Sequence, residues 1–270
     1  DQSGPVPAAF PKGYNAFYIM KYEASQGQYA DFLNTITSTQ ASARYPNSNA
    51  SYRHTISGSH PNYSASRPDR ACNYLSWLDL AAYADWAALR PMSELEFEKA
   101  CRGTASAVAN EYAWGNTTIT QATTITGAEN GTETVNGNCS YGSATYGGGD
   151  GGQGPLRCGI FATGSSTRES AGASYYGVME LSGCLWKRPV TVGNSTGRGF
   201  TGLQGDGSLA TTGDANVTNW PGTDAVGAGF RGGNWVDVAT YVRASDRNYA
   251  AFTYASRYYH SGARCVRTSP

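Results

Sequence analysis

Arg231-Gly232-Gly233-Asn234-Trp235 and Gly262-Ala263-Arg264-Cys265-Val266-Arg267 bracket the last stretch of this chain, and how that stretch is read decides the rest. Between the two bookends stand Tyr241, Tyr249, Phe252, Tyr254, Tyr258, Tyr259 and His260, spaced mostly by Ala, Ser, Thr, Arg, Asp and Asn. Rings give large, stiff contact area with few rotors, and short polar residues hydrogen-bond adaptably, so this is the vocabulary of a binding surface. Tyr258-Tyr259-His260-Ser261 cannot turn every side chain to one core, and clustered exposed aromatics mark interaction surfaces.

Composition narrows the class. Charged residues make up 15% of the 270-residue chain against 34 Gly and 19 Tyr, a balance that favours turns and long loops over long helices. The formal net charge is zero with no basic cluster, which removes electrostatic support for nucleic-acid binding. No run of about 18 or more apolar residues and no signal-peptide pattern are present, so no direct membrane span is expected. The start, Asp1-Gln2-Ser3-Gly4-Pro5, reads as an excised domain or a processed product. Six cysteines, Cys72, Cys101, Cys139, Cys158, Cys184 and Cys265, form no C-x-x-C pair, which argues against zinc. Cys139 and Cys158 flank a Gly-rich loop and are candidates for a bridge, whereas Cys72 and Cys101 fall in helical patterns and read as buried thiols.

Along the chain, Phe17-Tyr18-Ile19-Met20-Lys21-Tyr22-Glu23 predicts a strand. A capping box at Ser25 and Gln28 opens an amphipathic helix with Tyr29, Phe32, Leu33 and Ile36 on one face. Residues 37–70 show no period and read as a surface excursion. Ser76-x-x-Asp79 starts a second helix that buries Trp77, Leu80, Ala81, Ala84 and Ala88, and Ser93-x-x-Glu96 starts a shorter third one running to Ala100. Glu94, Glu96 and Glu98 are explained by the helix macrodipole better than by acid catalysis. Residues 104–174 read as loops anchored by Tyr112-Ala113-Trp114-Gly115 and Gly159-Ile160-Phe161-Ala162, without phosphate-loop spacing. Short apolar runs at residues 175–192 and 229–235 suit strands, which makes the class α+β with a small sheet.

Several landmarks together resemble the formylglycine-generating enzyme, or sulfatase-modifying factor, family. They are Leu75-Ser76-Trp77-Leu78-Asp79, Leu89-Arg90-Pro91-Met92-Ser93-Glu94-Leu95-Glu96-Phe97-Glu98-Lys99-Ala100-Cys101-Arg102-Gly103, Tyr112-Ala113-Trp114-Gly115-Asn116, Tyr176-Gly177-Val178-Met179-Glu180-Leu181-Ser182-Gly183 and the two bookends. The resemblance implies a C-type lectin fold of the formylglycine-generating-enzyme type, with small antiparallel sheets, two main helices and long loop insertions. It implies a single domain over residues 1–270, with insertions at 37–70 and 104–174 and a C-terminal variable region at 231–267.

Two departures bear on function. The family's oxidase needs a copper-binding cysteine pair soon after its Arg-Gly-Gly-Ser-x, and Trp235-Val236-Asp237-Val238-Ala239-Thr240-Tyr241 contains no thiol. The family's calcium segment reads Gly183-Cys184-Leu185-Trp186-Lys187 here, replacing an amide with a thiol and a carboxylate with an ammonium, which hard calcium opposes. A structural calcium elsewhere, for instance at Asp150 or Asn130, stays open, and no catalytic cofactor is expected. A branch of this fold, the variable proteins of diversity-generating retroelements, has lost the oxidase and binds ligands through a face diversified at template adenines. Residues 236–270 lack Lys, Glu, Gln, Met and Trp, the residues that an Asn codon randomised at its two adenines cannot yield.

By this resemblance the ligand contacts are Val236, Asp237, Ala239, Tyr241, Tyr249, Phe252, Tyr254, Ser256, Tyr258, Tyr259, His260 and Ser261. Arg231, Gly232, Gly233, Trp235, Arg243, Asp246, Arg247, Gly262, Arg264 and Cys265 are scaffold. The expected partner is a protein or glycan on a cell surface, and the expected location is a cell surface or a virion such as a phage tail. The alternative is a metal-dependent oxidase with relocated ligands. A hydrolase finds little support in three scattered histidines, His54, His60 and His260, and a calcium-dependent sugar lectin lacks its Glu-Pro-Asn or Gln-Pro-Asp motif.

Overall fold

The computed structural model describes residues 4–46 and 51–269; the reading of the first three residues and of residues 47–50 in the first insertion lies outside them. In chain order the elements are β1 (Phe17–Ile19), α1 (Gln26–Thr35), α2 (Ser38–Arg44), β2 (Ile56–Ser57), β3 (Ser64–Ala65) and α3 (Trp77–Trp86). They continue with β4 (Arg90–Pro91), α4 (Glu94–Arg102), β5 (Ile125–Thr126), β6 (Thr134–Val135), α5 (Ser195–Arg198) and β7 (Cys265–Thr268). This is a mixed α+β architecture of small antiparallel sheets with few helices, as the sequence predicts.

Chain end and chain beginning meet in the central sheet, ordered β1-β7-β4. Ile19 pairs with Val266 on one side of β7, and Pro91 pairs with Cys265 on the other. Arg264 enters this junction fully buried, donating through Nη1 to the carbonyls of Met20 (2.7 Å) and Lys21 (3.0 Å) and through Nη2 to that of Met179 (2.6 Å). One guanidinium thereby satisfies two carbonyls just beyond the three-residue pairing of β1 with β7 and a third at Met179.

The capping boxes at Ser25, Ser76 and Ser93 form as read, each with its N3 side chain bonded back to the cap. A fourth, Thr37 with Gln40, starts α2 inside the supposed excursion. This corrects the reading of residues 37–70: the seven-residue helix is too short to show an apolar period, and its cap was the only signal. The second helix also stops short of Ala88, which takes φ +53° beyond the last turn. Runs 175–192 and 229–235 form no strand; residues 178–191 and 229–235 are buried turns and bends joined by single bridges such as Lys187↔Arg231 and Val190↔Ala228. The stretch 104–174 has its own packed core of Ala122, Ile125, Tyr146, Leu156, Ile160 and Phe161. All six cysteines are free; Cys139 Sγ faces the Ser182 carbonyl and Cys158 Sγ that of Glu23, so the considered bridge does not form.

Glu94 is the hub that the macrodipole reading understates. It opens α4, is 1% exposed, and its Oε1 accepts from Thr191 Oγ1 (2.9 Å) and the Val192 amide (2.7 Å). Arg247 closes on both oxygens at 2.9 and 3.0 Å, and Arg231 Nη1 lies 3.3 Å from Oε2. Arg231 also donates to the carbonyls of Asp246 (2.8 Å) and Ala244 (2.7 Å) and pairs with Glu98. Gly232 and Gly233 then turn the chain at φ +77° and +63°, where added Cβ atoms would meet the Leu181 carbonyl at 2.1 Å and Val242 Cγ1 at 2.5 Å.

Glu94→Ala takes away the carboxylate that Arg231 and Arg247 share, leaves buried Arg231 with Glu98 alone on α4, and strips Thr191 Oγ1 and the Val192 amide of their acceptor. The expected loss is about 3–5 kcal/mol, seen as a lower urea midpoint at unchanged slope; an unchanged midpoint would show that the pair carries no stability.

Candidate functional site

The tail after Gly233 folds as a looping surface whose path is set by main-chain bonds. Phe230 donates its amide to the Tyr249 carbonyl (2.9 Å), Tyr74 to that of Tyr258 (3.1 Å), and Trp186 to that of His260 (2.9 Å). Three arginines reinforce the path. Arg247 is tied to Glu94, Arg188 Nη2 donates to the Tyr254 carbonyl (2.6 Å), and Arg257 forms a fork on Asp79 at 2.7 and 2.8 Å. Asp79 is itself fully buried as the third residue of α3, so its charge needs this partner.

Over this frame the side chains gather into a pocket of about 250 Å³ lined by Trp186, Phe230, Asp237, Tyr249, Phe252, Tyr254, Tyr258, His260 and Ser261. Trp186 and Phe230 form a buried base, edge to face at 5.6 Å. Phe252 (51% exposed), Tyr258 (37%) and Tyr249 (36%) stand out from it, and no stable core leaves three neighbouring rings so bare. Phe252 stacks on Tyr254 at 6.4 Å and Tyr258 on Tyr259 at 4.6 Å, so the rings brace each other.

Of the residues singled out in the sequence, Asp237, Tyr249, Phe252, Tyr254, Tyr258, His260 and Ser261 meet in this pocket. Tyr241 adjoins it, 5.6 Å from Tyr249. Tyr259 packs instead between Tyr52 (4.5 Å) and Trp235 (5.6 Å), and Val236 is packed against the same cluster. Ser256 is exposed and Ala239 half-buried, both outside the pocket. Sequence reasoning missed Trp186 and Phe230, which come from outside the tail, and also Arg257 and Tyr52. The alternation of Arg with small residues at 255–257 carried no sign of a buried partner on α3.

Partial burial pushes the Asp237 carboxyl up to about 6, against hydrogen bonds from the Asn234 amide and side chain, both to Oδ2. Burial pushes His260 down to about 4, so its imidazole is neutral at pH 7. Its Nδ1 and the Ser261 Oγ are buried without a partner in another residue among the described residues. Behind Phe230, the Arg188 guanidinium lies 4.3 Å from the ring centroid, with its Nε and Nη1 likewise unpartnered. Burial lowers that guanidinium to about 9.

The implied calcium does not fit its segment. Lys187, 1% exposed, turns its ammonium onto the Gly183 carbonyl and stands 3.3 Å from Glu23 Oε1, while Cys184 is a buried thiol. Among the described residues no cluster of three or more His, Cys, Asp or Glu is arranged to hold a metal ion. Burial pushes the thiols of Cys101, Cys139 and Cys265 up to about 12 and raises that of Cys184, which leaves them protonated and poor ligands or nucleophiles. Among the described residues no helix is long and apolar enough to cross a membrane.

Asp237 titrates with a sign opposite to a paired carboxylate. Because its folded value lies above the ordinary one, the native state is penalised as pH rises through about 4 to about 6, and the penalty is complete above that range. Asp237→Asn is therefore expected to stabilise the protein at pH 7 by about 1–3 kcal/mol and to have little effect near pH 4, measured by paired denaturation curves. A pH-independent difference would refute the assignment.

Three solved structures resemble this fold at low identity. PvdO from Pseudomonas aeruginosa is 18% identical, over 94% of this chain and 80% of that one, with a TM-score of 0.44. Treponema denticola variable protein 1 is 14% identical, over 94% and 84%, with a TM-score of 0.46. A Major Tropism Determinant U1 variant is 18% identical, over 97% of this chain and 53% of that one, with a TM-score of 0.38. Comparison with curated proteins finds no match. Residues 10–269, nearly all of the sheet, helices and loops described above, match the sulfatase-modifying factor enzyme 1-like domain, and the chain belongs to that family, with the C-type lectin-like fold its sequence landmarks implied.

Proposed function

We propose that this protein is a non-catalytic ligand-binding display protein whose C-terminal face is diversified by a retroelement and recognises a protein or glycan on another surface. The observation that carries the reading is a separation of roles within the tail. Main-chain hydrogen bonds and the arginines at 188, 247 and 257 hold its path, while the side chains of Asp237, Tyr249, Phe252, Tyr254, Tyr258 and His260 converge on an open aromatic pocket. A path held by backbone groups tolerates exchange of the outward side chains, which is what a diversified face requires.

Membership in a family named for an enzyme does not bring the activity with it, since function lives in the site. The protonated thiols and the cysteine-free segment after Gly233 support the binding reading over an oxidase with relocated ligands. A display protein works outside the cell that makes it, so a cell surface or a virion is the proposed location, with no catalytic cofactor.

Sequencing the 3′ end of the gene across sibling genomes of one population tests this. Variation is expected at the pocket positions and their neighbours between Val236 and Ser261, drawn from the Asn-codon set, with Arg231, Gly232, Gly233, Trp235, Arg247, Arg257, Arg264 and Cys265 invariant. A tail identical in all siblings would overturn the diversified reading.

A further inference from the structure

We propose that the aromatic pocket receives a cation, the ammonium of a lysine side chain on a protein partner, seated between Asp237 and the rings of Tyr249, Phe252, Tyr254 and Tyr258. This rests on the reading of the tail as a ligand-binding face and names the chemistry of its ligand.

Charge complementarity is the first argument. Among the described residues Asp237 is the one formally charged side chain lining the pocket, and the other lining residues are aromatic or neutral polar. Ring faces carry negative quadrupole and attract cations, most strongly where water is excluded. An anion would meet only the carboxylate, with no lysine or arginine in the lining. Buried Arg188 lies 4.3 Å from the Phe230 ring centroid, is held by the Tyr254 carbonyl and does not line the pocket.

Hydrogen-bond capacity is the second. The intramolecular bonds of Asp237 go to Oδ2 alone, Ser261 Oγ is buried without a partner, and His260 Nδ1 has none in another residue. An ammonium brings three donors and no acceptor, which matches a carboxylate, a hydroxyl and a neutral imidazole nitrogen. Size is the third: about 250 Å³ lies below the range of drug-sized sites and suits one side chain.

The charged and titratable groups around Asp237 assign the pH response to it. His260, at about 4, stays neutral, and the phenol of Tyr249 is raised, chiefly by Tyr241. Burial raises the Asp246 carboxyl against a hydrogen bond from Asn248 at 2.9 Å and the fields of Arg231 and Arg243, but Asp246 does not line the pocket, and Arg247 is committed to Glu94. A bound cation favours the Asp237 carboxylate, so affinity should fall as pH drops through about 6.

The test is a titration of the whole chain, followed by NMR of the aromatic side chains, with three probes: Nα-acetyl-lysine methylamide, its norleucine counterpart, and methyl glucoside. The lysine probe should bind about tenfold more tightly than the other two, and should lose about tenfold between pH 7 and pH 5. Asp237→Asn should abolish both the preference over norleucine and the pH dependence, whereas a merely structural Asp237 would weaken all probes alike. Equal binding of lysine and norleucine, or no binding of lysine, overturns the cation. A parallel peptide and glycan array with wild type and Phe252→Ala separates the two levels. Array ligands lost on Phe252→Ala, with a silent lysine titration, sink the cation and keep the face; no Phe252-dependent ligand and a silent titration sink both.

Discussion

A buried carboxylate on the first turn of a short helix governs this structure. Glu94 is almost fully removed from water, and an isolated charge there would be prohibitively costly. It is tolerable because Arg231, Arg247, Thr191 and the Val192 amide all converge on it, from parts of the chain far apart in sequence. None of these contacts makes sense alone. The bridge of Lys187 to Arg231, the turn at Gly232 and Gly233, and the start of the tail are placed by the need to bring enough donors to one carboxylate. Hydrophobic burial supplies most of the stability, as in any domain of this size, but the buried ion cluster selects which loop arrangement is compatible with it.

A second cluster acts at the other end of the tail. Arg257 forks onto Asp79 and donates to the Ala43 carbonyl, so the loop is moored to α2 and α3 as well as to α4. Between these moorings the rings touch mainly other rings of the same face, together with Trp186 and Phe230 below. Stability and recognition are thereby carried by different atoms. The exposed rings lose little if exchanged for other short or aromatic residues, because the core clusters of α1 and α3 do not include them.

What the sequence revealed follows the physics of each signal. Capping boxes are local, and those at Ser25, Ser76 and Ser93 located helix starts to the residue. The bookends were legible because tight glycine turns and buried arginines need particular residues at particular places. Strands at 175–192 were misread because an apolar run records burial, not pairing, and residues 178–191 are buried but meet their neighbours through isolated bridges. The pocket was half legible: the tail's Tyr and Phe positions announced themselves by composition, but nothing local in Trp186 or Phe230 says that they form its base. Tyr259 has the same neighbours in sequence but lies outside the pocket lining, packed among Tyr52, Trp235 and Tyr258.

The set of residues at the face has a physical consequence of its own. Lys, Glu, Gln and Met are absent after residue 235, and apart from Arg these are the side chains that lose most rotamer entropy on being fixed. A face built without them binds through stiff rings and short polar groups, which cost little to order. Its charges are limited in the same way: a carboxylate can come only from Asp and a permanent cation only from Arg. The arginines at 231, 247 and 257 are consumed by buried carboxylates of the scaffold, whereas Asp237 is left half-buried with its hydrogen bonds on one oxygen. The tail thus keeps its cations for folding and turns a carboxylate toward the pocket, and that asymmetry makes the face selective for charge as well as for shape.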